Sequence, residues 1–208
     1  MSSSRFPGKV LAPLAGRPVL WWVIERVSKA VDRSRIVLAT SSNGSDDPLA
    51  AYAGSLGIAV FRGELDDVVA RFQACLRAHP ADWFVRICAD SPLVDPGLIR
   101  ALAAKLNPAL DLVTNVQVRT FPRGQSVEFV RSGTFAALDS KALSAEEREH
   151  ATLVFYRNPE KFRIENVVGQ DPAWSNLSYT VDSIENLRAV ETILKAGALP
   201  AFAPRAAP

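Results

Sequence analysis

Cysteine, histidine and methionine are scarce in this 208-residue chain, at two, two and one. Cys75 and Cys88 have no cysteine or histidine partner at metal-ligand spacing, so a zinc site is not expected, and two cysteines cannot build a disulfide scaffold. They fit a reducing cytoplasm. Long apolar runs are also missing: Val19–Ile24 is far shorter than the roughly 20 residues that span a bilayer. Charge of one sign is not in excess. With 24 Lys plus Arg against 22 Asp plus Glu and no dense basic run, neither nucleic-acid binding nor membrane insertion is expected. The chain has no internal sequence repeat.

Acids are absent before Glu25, and the segment that lacks them is the most informative part of the chain. Ser2, Ser3, Ser4 and Gly8 are small enough for backbone N–H groups to approach phosphate oxygens, while Arg5 and Lys9 bring two cations. That is the chemistry of a polyphosphate loop. It is not a Walker A loop, because Ser3 stands where the first glycine belongs and Val10 where a hydroxyl residue should follow Lys9. A serine-rich, acid-free start also suits a targeting segment, but Pro13 and then Gly16–Pro18 interrupt its apolar stretch.

Helical and strand signals alternate downstream. A helical pattern from Val19 precedes the strand-like 36–40, and Asp46, Asp47 and Pro48 open a helix over 49–56 before the short strand 58–61. Asp66 and Asp67 start a helix over 68–79, residues 82–90 read as a strand, and Asp95 with Pro96 begins the next helix. Three such units predict a mostly parallel central sheet wrapped by helices, within a single domain over 1–197. Beyond Asp111 the pattern predicts strands at 112–116, 126–132, 162–169 and 177–181, one or two helices between 132 and 158, and a helix over 183–197. The Pro- and Ala-rich 198–208 is expected to be a mobile tail. Trp21, Trp22, Phe72, Trp83, Phe84, Phe129 and Phe155 sit in periodic apolar segments and read as core.

Open α/β sheets bind ligands beyond the carboxyl ends of their strands. Asp90 and Asp182 both stand there, each placed either to cap a loop or to ligate magnesium shared with a nucleotide. His150 is open to two readings, a helix residue satisfied by its neighbours or a base, whereas His79 before Pro80 reads as structural.

Residues 2–20, 60–72, 85–96, 119–128, 148–152 and 179–187 resemble, in order, successive motifs of the cytidylyltransferase family, which includes the acylneuraminate cytidylyltransferases and spore coat polysaccharide biosynthesis protein F. The resemblance implies a three-layer α/β fold of the nucleotide-diphospho-sugar transferase type. It also implies transfer of CMP from CTP to a sugar or sugar acid with release of pyrophosphate, using Mg2+, for surface polysaccharide or glycan synthesis. By the same likeness Arg5, Lys9 and Asp90 are catalytic. Ser3, Ser4, Arg5, Gly8, Lys9, Arg62 and Gly63 meet the nucleotide, and Asp90 and Asp182 hold the metal. Arg119, Gln125, Glu128, Glu149 and His150 face the sugar; Arg62 reads equally as a surface charge.

Many relatives have an acid where Ser126 stands, so sugar specificity does not transfer with the motif. Partners are CTP and the sugar substrate, and a homodimer is compatible. Two other enzyme readings stand beside this one: a nucleotidyltransferase for a different NTP, and a related glycosyltransferase, against which no Asp-x-Asp triplet is present. A non-catalytic nucleotide-binding subunit is a third. Relatives also carry a strand before the phosphate loop, with Met1 aligning just after it. The expectation is therefore that the native protein begins roughly ten residues earlier, a strand plus its lead-in.

Overall fold

The structure is a computed structural model that describes residues 5–205. The chain opens with a small ribbon, β1 (Pro13–Leu14) against β2 (Arg17–Pro18), turned at Ala15 and Gly16 with φ of 48° and 80°. Both turn residues have positive φ, as the tightest hairpins require. There follow α1 (Val19–Val27), β3 (Val37–Ser41), α2 (Asp47–Ser55), β4 (Ala59–Gly63), α3 (Val68–Ala78), β5 (Trp83–Arg86) and α4 (Pro96–Ala103). The second half contains β6 (Leu112–Thr114), β7 (Glu128–Arg131), α5 (Ser132–Ala136), α6 (Ala145–Glu149), α7 (Leu153–Arg157), β8 (Ile164–Asn166) and α8 (Ile184–Lys195).

Helix starts follow the local chemistry. Asp67 accepts from the Ala70 N–H to begin α3, and Asp95 accepts from Gly97 to begin α4 behind Pro96. Ser183 caps α8 through Asn186, and Ser144 with Glu147 forms a reciprocal capping box on α6. Strand side chains alternate between two helical layers. Trp83, Val85, Val113 and Phe129 point into a cluster with Val23 and Val27 of α1 and Leu98, Ile99 and Leu102 of α4. Phe84, Leu112 and Val130 point the other way, onto Val69 and Phe72 of α3, Phe135 of α5, and Val154 and Phe155 of α7. Each buried side chain of this size contributes about 1.5–3 kcal/mol.

The strands form a two-stranded parallel sheet, β3 with β4, and a four-stranded sheet in the order β5-β7-β6-β8. β6 and β8 are parallel, but β7 runs against both neighbours, so the sheet is mixed. Residues 115–127, which join β6 to β7, hold no helix to carry a crossover, and the chain returns antiparallel.

Two local expectations are corrected. Residues 177–181 make only a single bridge, Arg123 with Ser178, because they are stitched to the loop before β7 and not to a strand edge. The stretch 132–158 breaks into α5, α6, α7 and intervening turns, with Asp139 and Ser144 restarting it by capping. Residues 198–205 are docked: the Phe202 N–H donates to Asp95 Oδ2 at 2.8 Å, and its ring packs 5.1 Å from Trp174 and 6.5 Å from Phe121.

Candidate active site

Lys9 sits at the start of a single 3-10 turn, Lys9–Leu11, entered through Gly8 at φ 72°. Its Nζ donates to Asp90 Oδ2 at 2.6 Å and to Asp182 Oδ1 at 2.8 Å, joining residues 81 and 173 positions away. Asp90 lies in the loop after β5 and Asp182 just before α8. The Val181 N–H donates to the Asp90 carbonyl at 2.9 Å, so the backbone itself sets the two acids side by side. Arg5 reaches Asp182 Oδ1 at 3.2 Å from a mostly exposed position. Burial disfavours the Lys9 ammonium, but hydrogen bonds to Asp182 and Asp90 outweigh it and hold its pKa above the ordinary lysine value. For Asp182 burial acts upward, yet the bond and charge of Lys9, together with Arg5, hold its pKa below the ordinary value.

Beside this group lies a buried polar network. Glu128, 2% exposed, takes Arg86 on Oε2 at 2.5 Å, and Thr152 and the Tyr156 hydroxyl on Oε1 at 2.7 and 2.6 Å. Gln125 is fully buried; its Oε1 accepts from the Asp95 N–H at 2.8 Å and its Nε2 donates to the Leu93 carbonyl at 2.7 Å. Arg119 is half-buried and meets Ser126 Oγ at 3.4 Å through both terminal nitrogens, a weak contact for a guanidinium. Its pKa is lowered, first by burial and then by the charge of Arg123. Cys88 is pulled down by Arg86, but burial and the charges of Asp90 and Glu128 prevail and raise its thiol pKa, so it stays protonated at neutral pH.

Two acids thus converge on one cation beside a glycine-entered loop. A family model described as Cytidylyltransferase matches residues 1–195. The chain belongs to the cytidylyltransferase family. Spore coat polysaccharide biosynthesis protein SpsF of Bacillus subtilis (strain 168) is 29% identical over 208 residues, covering 96% of this chain and 85% of its own. A solved cytidylyltransferase from Leptospira borgpetersenii serovar Hardjo-bovis (strain JB197) is 27% identical with a TM-score of 0.89, over 94% of this chain and 83% of that one. CMP:2-keto-3-deoxy-manno-octonic acid synthetase, solved with CTP, shares the fold at 16% identity, with a TM-score of 0.70 over 94% and 95% of the two chains. The protein is therefore an enzyme of the nucleotidyltransferase class.

Within this cytidylyltransferase the expected residues separate. Lys9, Arg5, Asp90 and Asp182 are brought together; Ser3 and Ser4 lie outside the described residues. Arg62 is held elsewhere, donating to the Ser41 and Asn43 carbonyls, both at 2.9 Å, and pairing with Asp47 at 2.7 Å. Gly63 packs under Arg71, whose Cγ would lie 3.0 Å from an added Cβ. Gln125 and Glu128 are buried, and every polar atom of each carboxamide or carboxylate head is bonded to protein. Gln125 fixes the loop that carries Asp90. Glu149 and His150 are exposed at the end of α6, where the His150 N–H closes the helix on the Glu146 carbonyl. Sequence reading missed Arg86 and Asn115. Asn115 is buried, donating to the Gln125 carbonyl and accepting from the Val127 N–H. An arginine and an asparagine inside β-branched, apolar runs were the available signals, because a buried polar group needs partners.

Among the described residues no group of three or more His, Cys, Asp or Glu could hold a metal ion. Asp90 and Asp182 nevertheless suit magnesium, which takes one or two carboxylates and completes its shell with water and phosphate.

Proposed function

We propose that this enzyme transfers CMP from magnesium-bound CTP to a hydroxyl of a sugar acid, releasing pyrophosphate, in surface polysaccharide or glycan synthesis. The observation that carries the proposal is the convergence of Asp90 and Asp182 on one cation. Magnesium held by these two acids would neutralise charge on the phosphate oxygens. Lys9 and Arg5 would bind the triphosphate and offset the charge that grows on the departing pyrophosphate. Gly8 lets the loop backbone approach the phosphates, with Ser3 and Ser4 ahead of it. Arg62 and Gly63 shape the nucleotide pocket by tying the end of β4 to the loop after β3.

The acceptor is read from Arg119. A half-buried guanidinium facing a serine hydroxyl, with Arg123 nearby, has charge to offer a carboxylate, and a bidentate pair is its preferred partner. Glu149 and His150 contact more distant hydroxyls of the acceptor. The free thiols of Cys75 and Cys88 support a reducing, cytoplasmic setting. Pyrophosphate release tests the reading: it should require CTP, magnesium and a sugar acid together. Release with a neutral sugar alone, or with another triphosphate in preference to CTP, would contradict it.

A further inference from the structure

Away from Lys9 and its two acids, one buried charge lacks a counterion. Arg26 of α1 is 7% exposed, and its Nε donates to the Val94 carbonyl at 2.8 Å. Among the described residues its two terminal nitrogens have no hydrogen-bond or ion-pair partner, and neither is sealed in the interior, so both reach the cavity of about 580 Å3 that Arg26 borders. Lys29 and Arg100, both exposed, line the same cavity and are tied together by Arg100 Nη1 on the Lys29 carbonyl at 2.8 Å. Asp95 is the one acid in its wall. Its oxygens are already spent, Oδ1 on the Gly97 N–H and Oδ2 on the Phe202 N–H, both at 2.8 Å. The charge of Asp95 favours the Arg26 cation, yet burial outweighs it and holds the Arg26 pKa below its ordinary value.

A charge withdrawn from water is costly unless an opposite charge meets it, and three cations against one spent acid leave this cavity positive. The planar fork of a guanidinium matches the paired oxygens of a carboxylate or a phosphate. The rest of the wall is apolar, supplied by Leu199, Pro200 and Phe202 of the docked tail, and the volume suits a small organic molecule. We propose that this cavity binds an organic anion, a carboxylate or a phosphate monoester, whose oxygens pair with the free fork of Arg26 while its apolar body rests on the tail. Lys29 and Arg100 close over the anion from the rim. The bound molecule bridges α1, the start of α4 and residues 199–203. It also lies against the segment that leads from Asp90 into α4, which Gln125 clamps through the Leu93 carbonyl and the Asp95 N–H.

Amide NMR of the full chain, titrated at constant ionic strength with benzoate and separately with phenyl phosphate, tests this. At least one probe should give saturable shifts at the Gly97 and Phe202 amides, with the same affinity in Lys9→Met. In Arg26→Met the affinity should fall at least about tenfold, the loss expected when a charge-assisted hydrogen bond is removed. If Arg26→Met does not fold, the exposed pair Lys29→Gln with Arg100→Gln carries the test, with affinity lowered about threefold or more. Saturation by benzoate alone assigns a carboxylate ligand, and saturation by phenyl phosphate alone a phosphate monoester. Three results would overturn the proposal: no saturable shift with either probe, equal affinity in wild type and the cavity variants, or shifts lost in Lys9→Met, which would assign the anion to the site around Lys9.

Discussion

Lys9 holds two carboxylates that would otherwise repel each other, and its charge and theirs are mutually sustained. The linkage has a definite sign. Asp182, whose pKa is depressed, stabilises the site above its ordinary value of 3.8 and loses that contribution as pH falls. Lys9, whose pKa is raised, contributes below its ordinary 10.5 and loses this as pH rises. The melting-temperature difference between wild type and Lys9→Met should therefore be greatest between roughly pH 4 and 10 and shrink outside that window. A difference flat from pH 3 to 11 would show that the ion pairs are not its source. Replacing Asp90 or Asp182 by Asn keeps shape and removes a charge, so turnover should fall by roughly two orders of magnitude or more with the fold intact. Wild-type turnover would return that acid to a capping role. That these two acids stand close together was legible only through the family resemblance, since Asp90 follows β5 in a loop and Asp182 precedes α8 with no strand before it. The burial of Glu128 and Gln125 was not legible, since their partners arrive from β5, α7 and the loop before α4, and no local pattern announces them.

At the scale of elements, the helix starts at Asp67, Asp95 and Ser183 were readable because a cap is a local hydrogen bond between neighbours in sequence. The course of 119–126 was not. This loop lies against residues 177–180, with the Tyr179 N–H donating to the Arg123 carbonyl at 2.8 Å and the Arg123 N–H to Leu177 at 3.1 Å. Gly124 makes the approach possible. Its φ is +89°, and a Cβ there would lie 2.8 Å from the Tyr179 carbonyl carbon and 3.0 Å from the Thr180 nitrogen, both backbone atoms. Gly124→Ala combines strain with a clash that cannot rotate away, so it should cost about 2 kcal/mol or more and lower Tm by at least about 4 °C. An unchanged Tm in calorimetry would show that the loop can lift from the segment before Asp182. Because that segment leads to Asp182, the same variant should weaken nucleotide binding.

Over the whole molecule, alternating apolar periods foretold a three-layer α/β body, and the two faces of the sheet do point into separate helical clusters. Strand direction was less legible: β7 carries the same alternation whether it runs with or against its neighbours. The docking of Phe202 has little local signal, since it is a lone ring among prolines and alanines. Its burial depends on Asp95, Phe121 and Trp174, all distant in sequence. Lys9 joins Asp90, in the loop after β5, to Asp182, just before α8, and the proposed function gives this group a metal-bound triphosphate. Thermal shift with CTP, UTP, ATP and GTP at equal concentration, each with and without magnesium, in wild type and Asp90→Asn, tests that most directly. The account predicts the largest stabilisation with CTP plus magnesium in the wild type, reduced without the metal and in the variant; equal shifts for all four nucleotides, or a CTP shift indifferent to both magnesium and Asp90, would contradict it.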